Sequence, residues 1–325
     1  MKPKIYITRK IPEQIYHYML DHADIRMWDK EDVPVPREIL IQEIQHVDGL
    51  LCLLTETIDA ELLSYASHLK IISNLAVGYN NIDVKAASQK GIIVTNTPGV
   101  LTETTADLTF ALLMATARRI VEASEYLRSD QWKTWSPMQL TGQDIYGSTI
   151  GIIGMGRIGQ AVARRARGFG MNILYYSRTR KTNLEEELGL GYCDLDKLLI
   201  NSDFVSILIP YSPEVHHMIG ARELKMMKNS SILINTARGG IVDEKALYEA
   251  LKDREIWAAG LDVFEKEPLD LSSPLLSLPN VVTLPHIGSA SQKTRLKMAE
   301  LAAENLIRVL LGGEPLTPVD ENKIK

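Results

Sequence analysis

Cysteine is nearly absent: Cys52 and Cys193 are the only two in 325 residues, and they form neither a disulfide framework nor a zinc motif. Both sit in apolar or helix-like surroundings and read as buried structural thiols. No metal site is expected. No stretch reaches the roughly 18 uninterrupted apolar residues that a membrane span needs. Met1-Lys2-Pro3-Lys4 runs straight into the strand-like Ile5-Tyr6-Ile7 without an apolar h-region, so no secretory signal is expected and the default location is cytoplasmic. A basic excess is missing as well, with 36 Lys and Arg against 41 Asp and Glu and a formal charge of -5, which argues against a nucleic-acid partner. Low-complexity segments and short-period repeats are also absent.

What is present is ordinary globular material, 45% hydrophobic and 24% charged. The length suits about two domains of roughly 150 residues, each able to bury a full core. Short apolar runs, most of them rich in β-branched residues, at 4–8, 49–54, 70–75 and 92–95 alternate with amphipathic stretches at 12–20, 36–45 and 59–66. That cadence predicts βα units around a parallel sheet. The turn-rich Asn96-Thr97-Pro98-Gly99 interrupts it, and one long helix is predicted over 101–128, with Leu108, Ala111, Leu112, Ala115 and Ile120 at helical spacing. A polar loop at 130–147, carrying Trp132 and Trp135, leads to a second series with strands at 149–153, 172–176, 204–209, 231–235, 258–261 and 281–284. A last helix covers 292–311, followed by a polar tail. Two α/β domains follow, and composition does not decide which of them the last helix completes.

Strand 149–153 ends in Gly154-Met155-Gly156-Arg157-Ile158-Gly159 and continues into a helical pattern. A lone G-x-G-x-x-G is weak, but the flanking strand and helix are the context the motif requires. Gly154 permits a tight turn, Gly156 lets a pyrophosphate approach the backbone, and Gly159 allows close helix packing. The helix N-terminus then offers amides and a positive dipole end to phosphates. A tight turn without ligand is the plainer alternative. After the next strand an Asp or Glu would bind a ribose 2′-hydroxyl. Here the chain reads Ser177-Arg178-Thr179-Arg180-Lys181, with no carboxylate before Glu185. A 2′-phosphate needs cations, and Arg178 can grip one with its planar fork, so NADP(H) is the preferred cofactor, with NAD(H) also usable. A solvated basic turn remains the alternative.

Three further strand ends carry chemistry. Arg238 follows Asn235-Thr236-Ala237 and precedes two glycines; Asp262, Glu265 and Glu267 follow the strand at 258–261; His286 ends the last strand. Carboxyl ends of parallel strands are where α/β proteins bind ligands. Singly, each has a mundane reading: Arg238 in a salt bridge, Glu267 as surface charge, His286 as a core histidine. Together they offer a cation, a proton donor and a carboxylate to hold that donor charged, as reduction of a keto acid requires.

With these motifs in this order (151–159, 227–251, 258–268 and Pro285-His286-Ile287-Gly288-Ser289-Ala290), the chain resembles the D-isomer-specific 2-hydroxyacid dehydrogenase family over essentially its whole length. Its pattern comes closest to the glyoxylate/hydroxypyruvate and 2-ketogluconate reductase branches. The resemblance implies His286 as proton donor, Glu267 as its partner and Arg238 as substrate holder. It implies that the backbone amides of Val77 and Gly78, in Leu75-Ala76-Val77-Gly78-Tyr79-Asn80-Asn81-Ile82-Asp83, receive the substrate carboxylate, with Ser289 and Trp135 also at the substrate. It places Thr105, Pro210, Thr236, Ala237, Asp262 and Gly288, with the glycine turn and Ser177–Thr179, around the cofactor.

The resemblance also implies a flavodoxin-like substrate domain of residues 1–98 plus 290–325, with a Rossmann cofactor domain, 99–289, inserted in it and a cleft that closes to exclude water. The expected reaction is NAD(P)H-dependent reduction of a small 2-keto acid (glyoxylate, hydroxypyruvate or 2-ketogluconate) to the D-2-hydroxy acid. A homodimer built on the 101–128 helix region is expected, with Trp135 reaching the partner's substrate site; packing beneath the loop is the alternative for Trp135. Two other functions share the fold. One is a dinucleotide-sensing corepressor, which often carries a long disordered tail that this chain lacks. The other is a formate dehydrogenase, which resembles a Gln where this chain has Glu267.

Overall fold

The alternation of β-branched and amphipathic stretches becomes parallel βαβ crossovers in the computed structural model, which describes residues 2–319. The chain forms two units, Met1–Leu101 with Ala290–Lys325, and Thr102–Ser289. The end of the polar tail, Asp320 onward, lies outside the described residues.

The first series supplies β1 (Lys4–Ile7), α1 (Glu13–Leu20), β2 (Asp24–Met27), α2 (Arg37–Ile44), β3 (Gly49–Cys52), α3 (Ala60–Ser64), β4 (Ile71–Asn74), α4 (Val84–Gln89) and β5 (Ile93–Thr95). The strands form one sheet in the order β2-β1-β3-β4-β5, and all of its pairs are parallel. This is the flavodoxin-like order. β3 and β4 are buried at every position, as central parallel strands covered on both faces must be. β2, absent from the sequence reading, is the edge strand. Its Asp24-Ile25-Arg26-Met27 alternates between exposed and half-buried residues, so it carries no apolar run to detect.

The second unit contains α5 (Thr102–Ala117), α6 (Ile120–Arg128), β6 (Thr149–Ile153), α7 (Arg157–Gly168), β7 (Asn172–Tyr176), α8 (Thr182–Leu188), β8 (Leu190–Tyr192), α9 (Leu195–Asn201), β9 (Phe204–Ile207), α10 (Ala221–Met226), β10 (Ile232–Asn235), α11 (Glu244–Lys252), β11 (Ala258–Leu261) and β12 (Val281–Thr283). Its strands run β12-β11-β10-β9-β6-β7-β8. The order reverses between β6 and β9, the point outside which doubly wound sheets bind ligands.

The single helix predicted over 101–128 is in fact two. Arg119 takes φ 53, a left-handed conformation that ends α5, and its guanidinium grips Glu122 of the next helix through Nε at 2.8 Å and Nη2 at 2.6 Å. The amide of Gln143 donates to the Ala117 carbonyl at 2.9 Å. A Cβ on the adjacent Gly142 would stand 2.1 Å from that same oxygen, so a glycine is needed where the loop caps α5.

The last helix, α12 (Gln292–Leu310), belongs to the first unit and lies on its sheet. A Cβ on Gly49 would stand 2.3 Å from the Leu306 side chain, so this glycine gives the helix room. The Ser73 hydroxyl donates to the Ala302 carbonyl at 2.8 Å.

Candidate active site

The glycine turn follows β6. Gly154 has φ +106, and a Cβ there would meet the Leu208 carbonyl oxygen at 2.7 Å, so only glycine makes this turn beside β9. A Cβ on Gly159 would lie 2.0 Å from the Gly154 carbonyl oxygen, which is how α7 comes to sit so close to its own entry turn. Gly156 is different: nothing lies within 4 Å of the Cβ it lacks, and it and Arg157 are exposed. It is also the N-cap of the 12-residue α7, with no side-chain cap. An open glycine cradle before uncapped helix amides fits a dinucleotide's pyrophosphate. Ile158, half-buried beside it, packs on the core of the unit.

The turn after β7 is built from inside. The buried Tyr175 hydroxyl accepts the Lys181 amide at 2.7 Å and donates to Glu185 Oε1 at 2.6 Å. Arg180 closes on the same carboxylate, with Nη2 2.7 Å from Oε2, and lies over the Tyr192 ring. These bonds to Arg180 and then Tyr175 hold the Glu185 carboxyl down to about 2. Arg180 is exposed to solvent and at the same time tied to Glu185. Ser177, Arg178 and Thr179 form the outer turn, and Arg178 lies close enough to Glu214 to lower that carboxyl's pKa, after the Ser212 hydroxyl and the backbone amide.

The chemical groups come from β10, β11 and β12, three neighbouring strands. His286 Nδ1 lies 2.6 Å from Glu267 Oε2, with the side chains 24% and 28% exposed. Glu267 Oε1 accepts the Phe264 amide at 3.0 Å. Burial pushes the Glu267 carboxyl up, but the His286 bond and charge, the Phe264 amide and Arg238 together outweigh it and leave the group below the ordinary glutamate value. Arg238 donates from Nη1 to the Ala237 carbonyl at 2.7 Å. Burial lowers its pKa against the opposing pull of Glu267; an arginine remains a cation all the same. The two loops meet through Gly239, where a Cβ would overlap the Phe264 backbone at 1.8 Å.

Other residues hold these ends in place, and among them Asn235, Thr109, His217, Asp243 and Glu244 had no role in the sequence reading. Asn235 Nδ2 donates to the Arg238 carbonyl at 2.9 Å, and Asn235 Oδ1 accepts the Ala237 amide at 3.1 Å. Thr236 shares a 2.7 Å hydroxyl contact with Thr109 of α5. His217 Nε2 donates to Glu265 Oε1 at 2.9 Å, and that oxygen also accepts the Glu244 amide at 3.0 Å. His217, Asp243 and Glu265 have ligand-type atoms within 4.8 Å of one another, and their bonds make them a brace for the loop bearing Glu267. Asparagines and histidines of this kind give no periodic signal, and only their hydrogen bonds reveal them.

Asp262 is fully buried. Its Oδ1 accepts the Ile287 amide at 2.8 Å, while Oδ2 is buried without a hydrogen-bond partner among the described residues. Burial pushes its carboxyl above the usual aspartate range. Gly288 stands against it: a Cβ there would lie 3.2 Å from Asp262 Oδ2 and 3.5 Å from Thr105 of α5. An orphaned acceptor beside a glycine fits a donor from a bound cofactor, such as a carboxamide. Pro210 is exposed just beyond β9, Ser289 is half-buried at the end of the unit, and Trp135 is 75% exposed in the loop after α6. Packing beneath the loop is thereby excluded for Trp135. Val77 and Gly78 lie half-buried in the loop after β4 of the first unit.

Known proteins similar to this chain define its family. The family model described as D-isomer specific 2-hydroxyacid dehydrogenase, NAD binding domain, matches residues 110–288. A glyoxylate reductase of Korarchaeum cryptofilum is 53% identical, covering 100% of this chain and 98% of its own. A glyoxylate reductase structure from Paecilomyes thermophila is 33% identical with a TM-score of 0.88, covering 99% of each chain. The NADPH-dependent glyoxylate/hydroxypyruvate reductase of Sinorhizobium meliloti, solved with NADP and malonate, is 35% identical with a TM-score of 0.87, covering 99% of this chain and 98% of its own. The chain belongs to the D-isomer-specific 2-hydroxyacid dehydrogenase family. It is an oxidoreductase that binds a nicotinamide dinucleotide. Among the described residues no helix is long and apolar enough to cross a membrane.

Proposed function

We propose that the protein reduces glyoxylate, hydroxypyruvate or a similar small 2-keto acid to the D-2-hydroxy acid, with NADPH preferred over NADH. The observation that carries the reading is the His286–Glu267 pair, 2.6 Å apart, at strand ends next to that of Arg238. The relatives' names, all of them reductases of such acids, support the substrate class.

In this mechanism His286 Nε2 holds the proton that goes to the substrate oxygen, because Nδ1 is engaged by Glu267. The ionised Glu267 faces the ring at 2.6 Å and fixes its orientation. Arg238 neutralises the substrate's carboxylate and polarises its carbonyl, and the amides of Val77 and Gly78 are the further anion donors. The cofactor would lie on the Gly154–Gly159 turn, Thr105, Pro210, Thr236, Ala237, Asp262 and Gly288, and when bound it supplies the hydride. Arg178, with Ser177 and Thr179, would receive a 2′-phosphate, and Glu185 cannot compete for a ribose diol while Arg180 and Tyr175 hold it. The NADPH dependence named for the Sinorhizobium meliloti relative points the same way.

We also propose a homodimer. α6 buries none of its residues, and Leu127, Trp132, Trp135 and Met138 are 58%, 55%, 75% and 76% exposed on one stretch of surface. A face this apolar calls for a partner, and a second copy, with Trp135 walling its substrate site, is the occupant we assign.

A panel of glyoxylate, hydroxypyruvate, 2-ketogluconate and pyruvate, each with NADPH and NADH, tests the reading. Turnover of at least one of the first three, faster with NADPH, is expected. No turnover of any of them would overturn it.

A further inference from the structure

We infer that Asn74, Asn81 and Asn96 form a brace behind residues 75–82 that turns the Val77 and Gly78 amides outward as a preformed cradle for the substrate's carboxylate. The inference rests on the proposed role of those two amides and adds the positioning residues that create it.

Three successive carbonyls of this loop are tied back. The Thr97 amide donates to the Ala76 carbonyl at 2.9 Å. Asn96 Nδ2 donates to the Val77 carbonyl at 2.8 Å, and Asn74 Nδ2 to the Gly78 carbonyl at 2.9 Å. In a trans peptide the C=O and the following N–H point in opposite directions. Holding the carbonyls of 76, 77 and 78 therefore aims the N–H groups of Val77, Gly78 and Tyr79 away from the brace. Among the described residues no hydrogen bond engages the Val77 or Gly78 N–H. Successive free amides presented in this way make an anion-binding concavity.

The brace is anchored on both sides. Asn81 Nδ2 donates to the carbonyls of Leu53 and Glu56, at 3.0 Å each, and its Oδ1 lies 3.3 Å from Asn74 Nδ2. Asn96 is fixed by the returning C-terminal segment: its carbonyl accepts the Thr317 hydroxyl at 2.6 Å. Thr317 is in turn set by its amide bond to Oδ1 of Asn305 at 3.0 Å, and Asn305 is fully buried in α12. Asparagine suits all of these positions because it offers an uncharged donor in a flat, short side chain. An aspartate of the same shape would set an acceptor against a carbonyl and a negative charge behind the anion site.

The experiment compares the wild type with Asn96→Ala and Asn96→Asp, using glyoxylate as substrate and oxalate as a competing anion. Both variants should raise the glyoxylate KM and the oxalate Ki, Asn96→Ala by about 10-fold and Asn96→Asp by more, with kcat and the NADPH KM within about 3-fold of the wild type. Asn74 is fully buried, so Asn74→Ser serves as a second variant that keeps a donor, and it should show the same split in milder form. Unchanged glyoxylate KM in Asn96→Asp would overturn the brace while leaving the functional reading intact. So would a parallel loss of kcat, cofactor binding and melting temperature in all three variants. A wild type inactive on every 2-keto acid would instead remove the functional reading, and the brace's role with it.

Discussion

His286 sits with φ 53, a conformation that costs a residue other than glycine on the order of 1–3 kcal/mol and persists where surrounding structure enforces it. The enforcement is visible: Asp262 holds the next amide, Ile287, at 2.8 Å, and Glu267 holds the ring. Strain of this kind at a strand end is what a fixed proton donor needs. His286→Ala should lower kcat for keto-acid reduction by about 10²–10⁴, with the NADPH KM unchanged, measured by steady-state kinetics. A loss below 10-fold would take the proton-donor role away from this residue. The proposed trio of Arg238, Glu267 and His286 was legible in the sequence because each member follows a short apolar strand run, and strand ends are where such folds place chemistry. Asn235, Thr109 and His217 were not, since a hydrogen bond between residues far apart in sequence leaves no pattern in either segment.

The proposed cofactor preference rests on the turn after β7. Tyr175 closes the 177–181 turn with its hydroxyl, and Arg180 neutralises Glu185, whose value of about 2 keeps that clamp ionised at every working pH. We expect Arg178→Ala to lower kcat/KM with NADPH by about 10- to 150-fold, the range of a charge-assisted phosphate contact, and to leave NADH nearly unchanged. Equal losses with both cofactors would assign Arg178 to the fold or the adenine. Tyr175→Phe keeps the ring but loses both hydroxyl bonds, so it should lower the NADPH to NADH ratio several-fold through a looser turn; an unaltered ratio would leave the hydroxyl a purely structural part. Short, mostly apolar runs made the central strands readable. The edge strand β2 and the three-residue β8, with Gly191 inside it, carried too little apolar pattern. The break at Arg119 escaped detection because helical spacing continues on both sides of it, and only a left-handed backbone separates α5 from α6.

The chain as a whole threads one α/β unit into another, leaving the first after Leu101 and re-entering it at Ala290. Composition left the last helix unassigned, and the family resemblance placed it with the first unit; there it lies against β3 and β4 in the room that Gly49 leaves, a vacancy visible only in three dimensions. If the exposed face around Trp135 is covered by a second copy, sedimentation should give a dimer. Trp135→Ala should then raise the keto-acid KM or reorder substrate preference without unfolding the protein, and an unchanged substrate ranking would remove Trp135 from the site. The central claim, one acid–base unit made of His286 and Glu267, has a sharper test. The bond and charge of the His286 ring lower the Glu267 pKa, and Glu267→Gln removes the negative charge that lies 2.6 Å from that ring. The measurement is the pH profile of kcat/KM for glyoxylate reduction in wild type and Glu267→Gln. A basic limb displaced to lower pH in the variant is the expected result, and superimposable limbs would contradict the pairing.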